Sequence, residues 1–209
     1  VAVIARDAQT AAFEVQPPTG GAVSNDDLAI ATIRTARLVL RPTRPADDER
    51  FVEIQSNWNV SRMLRLTTWP PSLPAMSGWL AEHAWERRAG TGYRFAVELS
   101  SRVVGCVDID EIDAGRGELG YWLEEQVWGR GLASEAARAL MDWGFNKLAL
   151  TGLNAGCASD NRASAAILAK LGFRPRGETR LWSRPRGEPI TQLLFAREAP
   201  DDGSRTEVT

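Results

Sequence analysis

The amino-acid sequence predicts an α/β protein, with a mixed, largely antiparallel central sheet of about six to seven strands flanked by about four helices. Three observations carry that expectation. Strand-like and helix-like segments alternate along the chain, which is the pattern of helices packed on a sheet. Three strand-like segments follow one another in the middle, so an antiparallel meander is expected there. The two ends are rich in Pro, Gly and Asp and hold too little apolar surface to pack.

Taken in order, residues 1–33 read as a mobile extension, punctuated by Pro17-Pro18, Thr19-Gly20-Gly21 and Asn25-Asp26-Asp27. The domain proper is expected over 34–197. Leu38 to Arg41 forms a short strand closed by Pro42. Pro45 opens a helix carrying Phe51, Val52, Ile54 and Gln55, with Asp47, Asp48 and Glu49 in its first turn, where the helix dipole favours acidic groups. A second helix spans Pro74 to Arg88, with Met76, Trp79, Leu80, His83 and Ala84 at three-to-four spacing. Strands follow over Tyr93 to Leu99, Arg102 to Ile109 and Glu118 to Leu123, with Gly115 and Gly117 as the turn between the last two. A helix over Ser134 to Lys147, a strand near Leu153 to Ala158 and a helix from Asn161 to Leu171 come next. Gly172 stops that last helix. Strands around Phe173 to Leu181 and Ile190 to Arg197 close the domain, and residues 198–209 form a polar tail.

Composition excludes several function classes. A net charge of −2, with 25% charged residues, argues against bulk electrostatic binding to nucleic acid. The arginines at 174, 176, 180, 184 and 186 crowd one stretch, which reads as a solvated hairpin. Two cysteines, Cys106 and Cys157, make no disulfide framework, and a single histidine, His83, makes a zinc site improbable. No apolar run approaches the ~20 residues that span a bilayer, and the first residues lack a signal-peptide core. The expected address is the cytoplasm, with no metal and no membrane partner.

The chemistry is concentrated in Gly120-Tyr-Trp-Leu-Glu-Glu-Gln126-Val-Trp-Gly129-Arg-Gly131-Leu-Ala133-Ser-Glu-Ala. A strand ends, a few residues turn, and a helix starts directly after two glycines. Such glycines let the backbone approach a ligand, and the first helical amides have no internal partners. With the positive end of the helix dipole, these features make a cradle for a phosphate or pyrophosphate. A P-loop is excluded because Leu132 and Ala133 follow Gly131 where Lys and Ser/Thr are needed. A dinucleotide fingerprint would need Gly or Ala where Ser134 stands, and an opening βαβ unit.

Gln126-x-x-Gly129-x-Gly131-Leu-Ala resembles the signature of the GNAT superfamily of N-acetyltransferases, and the resemblance covers roughly residues 34–197. Arg37-Leu-Val-Leu-Arg41-Pro, Glu118-Leu-Gly-Tyr-Trp-Leu, Asn161-Arg-Ala-Ser164 and Leu171-Gly-Phe173 add to it. The combination is similar to the ribosomal-protein alanine N-acetyltransferase (RimJ/RimL-type) branch. The resemblance implies acetyl-CoA as donor and an amine as acceptor. It places the CoA pyrophosphate on Gln126, Trp128, Gly129, Arg130, Gly131, Leu132 and Ala133, the pantetheine arm along Trp122 and Leu123, and a hydrogen bond from Asn161 to that arm.

Direct attack of the amine on the thioester is the economical route, needing a base for the amine and a donor for the departing thiolate. Glu118 is the leading base, with Asp108 and Asp110 as rivals that alternation places on one face with Cys106, where they read as paired surface charges. His83 has a pKa suited to base work, but its position in the apolar pattern favours packing. Cys106 and Cys157 read as buried apolar residues. Where many GNAT enzymes place a tyrosine acid, this chain has Leu168, and Ser164 matches a serine that the branch carries near the sulfur. Trp58, Trp69, Trp79 and Trp85 fall where the fold builds its acceptor cleft, as core residues or as an aromatic slot. The acceptor is a peptide N-terminal Ala/Ser or a small-molecule amine. The alternatives are a catalytically inactive acyl-CoA-binding sensor and an interaction module recruited through the N-terminal arm. An exposed final strand would also suit a homodimer.

Overall fold

The computed structural model describes residues 2–3 and 32–200 of the chain. The strands are β1 (Ala2–Val3), β2 (Ile33–Arg34), β3 (Leu38–Pro42), β4 (Tyr93–Leu99), β5 (Arg102–Asp113), β6 (Arg116–Leu123), β7 (Gly152–Ala158), β8 (Arg174–Ser183) and β9 (Glu188–Glu198). The helices are α1 (Asp48–Gln55), preceded by a 3-10 turn over Pro45–Asp47, then α2 (Trp58–Ser61), α3 (Leu73–Ala89), α4 (Leu132–Lys147) and α5 (Arg162–Lys170). All strands join one sheet in the order β2-β3-β4-β5-β6-β7-β9-β8, with β1 lying against β6. The α/β class and the antiparallel meander β3-β4-β5-β6 agree with the sequence reading. Beyond the expected elements come β1, β2 and α2, each too short for periodicity to reveal.

Of the expected extension, residues 1 and 4–31 lie outside the described residues, as do residues 201–209 of the tail. The described part of the extension is in the sheet: Ala2 pairs with Trp122 and Val3 with Tyr121. Gly117, expected in a turn, is inside β6, where a β-carbon would come within 2.6 Å of Ile109 Cγ2. The turn is made by Gly115, as expected, together with Ala114, both with positive φ (77° and 47°), a conformation that glycine adopts without steric cost.

Register decides which side chains share a face. Across β5 and β6, Cys106 opposes Trp122, Asp108 opposes Gly120 and Asp110 opposes Glu118. These six therefore point to one side of the sheet, and Val107, Ile109, Leu119, Tyr121 and Leu123 point to the other. Each side has its own core. On one, Leu132, Ala136, Leu140 and Met141 of α4 pack with Leu168 of α5 on the second set of residues. On the other, Phe51 and Ile54 of α1, Val60 of α2, and Met76 and Leu80 of α3 cover Ala96, Cys106 and Trp122. The rings of Phe51 and Trp122 meet edge to face at 4.8 Å.

The pair β6–β7 is parallel, joined by the crossover through α4, and it is short. Arg116, Gly117 and Glu118 pair with Gly152, Leu153 and Asn154. Past Glu118 the two strands part. β7 continues on β9 to Ala158, and β6 continues on β5 to Leu123. The cleft so opened in the sheet is the feature that positions the site, and β1 lies in it along β6.

Candidate active site

Three pieces meet at β6. The first is the turn after it. Glu124 is buried and held by the guanidinium groups of Arg50 and Arg102, the latter through two contacts at 2.5 and 2.9 Å. The Trp128 indole N–H donates to the Leu123 carbonyl at 2.8 Å, fixing the turn against the strand. Gly129 and Gly131 have φ of +74° and +76°, a left-handed conformation that costs other L-residues roughly 1–2 kcal/mol each. The backbone thus favours glycine at both positions. Gln126, Gly129, Arg130 and Gly131 are exposed, whereas Leu132 and Ala133 are buried.

Gly131 is the N-cap of α4 and supplies no side-chain acceptor to its first amides. Those amides face the exposed turn with the positive end of the dipole behind them, which suits an anion. A latch that the sequence did not suggest holds this turn. Arg37 donates to the Arg130 carbonyl at 2.9 Å and to Glu135 at 2.7 Å, and the Thr35 hydroxyl donates to Glu135 at 2.5 Å. The residues are almost a hundred positions apart in sequence, so no local pattern could have paired them.

The second piece is the cleft between β6 and β7. Trp122 and Leu123 lie on its β6 side, where β1 pairs with Tyr121 and Trp122. Asn161 and Ser164 come from α5 and are both buried. Asn161 caps α5, its side-chain oxygen accepting the Ser164 amide at 3.1 Å. The Tyr121 hydroxyl donates to the Ser164 carbonyl at 3.4 Å, so a second hydroxyl stands beside Ser164. Burial raises the Tyr121 pKa, keeping the phenol protonated. Leu168 is fully buried in the core.

The third piece is a cavity of about 590 Å³ on the α1/α3 side of the sheet. Trp122 lines it from β6; Leu64, Met76 and Trp79 supply apolar wall; Leu66 and Trp85 stand at its exposed rim. Asp108 and Asp110 line it from β5 and are buried, not the surface charges that alternation alone suggested. Arg94 of β4 binds three carboxylates: Glu86 at 2.8 and 3.1 Å, Asp110 at 2.9 Å and Asp108 at 3.5 Å. It also lies 5.4 Å from the Trp79 ring centroid. Burial, reinforced by Asp110, pushes the Asp108 carboxyl up to about 7 against the opposing pull of Arg94. Burial likewise raises Asp110.

Glu118 is buried at the vertex of the cleft, on the same face as Asp108 and Asp110 and directly opposite Asp110. His83 is buried, with Nδ1 2.8 Å from the Thr43 hydroxyl, and burial followed by repulsion from Arg94 and Arg87 lowers its pKa to about 3. It packs edge-on to Trp79 at 4.3 Å. Cys106 and Cys157 are buried thiols, and burial raises both pKa values, Cys157 to about 11; thiols so held protonated are poor nucleophiles. Of the four tryptophans in the acceptor segment, Trp79 and Trp85 line the cavity. Trp58 and Trp69 are 40% exposed and pack on one another at a tilt of 60°, their ring centroids 4.9 Å apart. None of the four is a fully buried core residue. In the basic hairpin, Arg184 lines the cavity and Arg186 pairs with Asp160 at 3.0 Å. Among the described residues no group of His, Cys, Asp and Glu side chains could hold a metal ion, and no helix is long and apolar enough to cross a membrane.

Comparison with known proteins gives a consistent result. Residues 37–174 match the family model described as the acetyltransferase (GNAT) domain. The chain is 29% identical over 169 residues to the N-acetyltransferase p20 of Bacillus licheniformis, covering 79% of this chain and 94% of that protein. Its fold superimposes on Mycobacterium smegmatis RimJ in complex with CoA-disulfide with a TM-score of 0.73 at 24% identity, covering 81% of this chain and 87% of that one. The acetyltransferase of Salmonella typhimurium that modifies the N-terminal serine of a 50S ribosomal subunit protein superimposes with a TM-score of 0.73 at 18% identity, over 81% of this chain and all of that one.

Proposed function

From the premise that this chain belongs to the GNAT acetyltransferase family and is an acetyl-CoA-dependent N-acyltransferase, we propose that it acetylates a primary amine bound in the cavity under α1 and α3. The observation that carries this reading is the double use of β6. One edge of the strand borders the cleft and runs into the anion cradle, while the face bearing Trp122 lines the cavity. A donor on the edge and an acceptor on the face would meet near Gly120.

Acetyl-CoA supplies a thioester whose carbonyl an amine attacks directly. The amides of Trp128 to Ala133 hold its pyrophosphate, with Gln126 and Arg130 on the exposed turn beside it. The main chain at Trp122 and Leu123 binds the pantetheine arm, and Asn161, at the start of α5, borders the same cleft. Glu118, buried at the vertex, takes the amine proton directly or through water, and Ser164 donates to the sulfur as the C–S bond breaks. The buried protonated thiols leave no reason to route the acetyl group through cysteine.

Calorimetric titration with acetyl-CoA tests the donor half, comparing the unaltered chain with Gly129→Glu/Gly131→Glu. Micromolar binding that disappears in the double variant is the expected result. Equal binding, or none to either protein, would sink the assignment. An acceptor screen then begins with peptides bearing free Ala or Ser N-termini and with small primary amines.

A further inference from the structure

The cavity floor holds more acidic groups than its own cations pair. Glu86, Asp108 and Asp110 converge on the single guanidinium of Arg94. Over the whole lining, five carboxylates (adding Glu82 and Glu111) face three arginines, the other two being Arg65, from the loop after α2, and Arg184, at the end of β8. Arg94 is spent on all three floor carboxylates at once. Asp110 is 4% exposed, and its Oδ1 has no hydrogen-bond partner. A buried carboxylate oxygen without a donor, in a site with surplus acids, is costly unless the carboxyl takes a proton, which burial favours at both Asp108 and Asp110, or a cation arrives. The rest of the lining asks for something different. Trp79, Trp122, Met76 and Leu64 offer aromatic and aliphatic surface, and Trp85, 60% exposed, extends it to the mouth. Of the neutral polar side chains beside them, Thr67 bonds Gln55, Ser72 caps α3 at the Ala75 amide and Thr91 bonds the Glu86 carbonyl, so they already serve the protein.

Resting on the functional reading above, we infer that the acceptor enters as an ammonium ion on an apolar, aromatic-sized body, its N–H groups donating to Asp110 Oδ1 and Asp108 while the tryptophans enclose the body. The substrate class is thus a small hydrophobic primary amine, in preference to a peptide N-terminus. A peptide brings amide groups for which the aromatic walls offer no partner and the lining hydroxyls, already bonded within the protein, offer few, at a cost of roughly 1–3 kcal/mol for each one left unpaired. An ammonium near Trp122 also gains from the ring quadrupole.

The test is equilibrium titration of the full chain, saturated with CoA, using three probes: 2-phenylethylamine, the neutral isostere 2-phenylethanol, and an Ala-initiated tripeptide. The amine is expected to bind at least about tenfold tighter than the alcohol, the scale of one charge-assisted hydrogen bond. It is also expected to bind at least about tenfold tighter than the tripeptide. In Asp110→Asn the preference for amine over alcohol should shrink to about threefold or less, with alcohol affinity unchanged. Equal affinity of amine and alcohol for the unaltered chain overturns the proposal, whether or not the variant folds. Tighter binding of the tripeptide overturns it too. If the amine shows the expected preference yet no acetyl group is transferred to any amine, the catalytic reading fails and the ammonium site stands.

Discussion

The carboxylate of Asp108 lies over Gly120, its partner across β5 and β6, in the space that a β-carbon at position 120 would take. The glycine is there because the acid is. Gly120→Ala must therefore push Asp108 off the cavity floor or separate the strands, an overpacking that costs about 1–3 kcal/mol. The expected outcome is a lower Tm together with at least a tenfold loss of kcat/KM for the acceptor, about the effect of one misplaced polar group. A variant with normal melting and normal kinetics would show that Asp108 has no part in acceptor handling.

Gly129 makes the opposite case. No atom lies within 4 Å of a β-carbon built there, so Gly129→Ala meets only the backbone penalty of its positive φ. That penalty is about 1–2 kcal/mol. Acetyl-CoA affinity should fall by about tenfold while the acceptor KM stays put. Titration calorimetry and steady-state kinetics separate the two effects.

Ser164→Ala should lower turnover at least tenfold with little change in acetyl-CoA affinity, since losing an electrostatic donor of this kind costs about 3 kcal/mol elsewhere. Tyr121→Phe gives the companion measurement, because its hydroxyl donates to the carbonyl of Ser164. Unchanged turnover in the serine variant removes Ser164 from the mechanism. A loss in the tyrosine variant alone would move the donor role to Tyr121.

β1 lies along Tyr121 and Trp122, the edge assigned to the pantetheine arm. A chain truncated to begin at residue 32 should therefore bind acetyl-CoA at least as tightly as the full chain, and severalfold tighter if β1 holds the edge in solution. Weaker binding after truncation, measured by the same titration, would mean that the N-terminal strand builds the cofactor site.

Stability should depend on pH through His83. Its folded pKa, near 3, lies below the ordinary value of 6.5, because burial opposes the charged form. Above pH 6.5 the ring is neutral in both states and costs nothing. As pH falls from 6.5 towards 3, the unfolded chain takes a proton that the folded chain refuses, and stability drops by up to about 1.4 kcal/mol per pH unit. His83→Gln, whose amide can still reach Thr43, should lose this slope. Asp108, raised by burial, shifts stability in the opposite sense over the upper part of this range. It does so in both proteins and cancels in their difference. Denaturant melts at pH 7 and pH 4.5 should show the unaltered chain losing more stability than the variant.

What the sequence by itself determined is what neighbouring residues settle between themselves. Gly129 and Gly131 favour a left-handed turn and an uncapped helix start through their own backbone freedom, so the turn before α4 was readable as a string. Alternation likewise put Cys106, Asp108 and Asp110 on one face, and Asn161 and Gly172 marked the two ends of α5. Tertiary structure decided which face the acids were on and what covered it. Asp108 and Asp110 became a buried floor because α1 and α3 close over that side of the sheet, and because Arg94 and Glu86 arrive from β4 and α3. The Arg37–Glu135 latch and the lodging of β1 beside β6 are of the same kind. Such contacts form only when loops of tens of residues close, and loop closure depends on the register and packing of the whole sheet, which no local window contains.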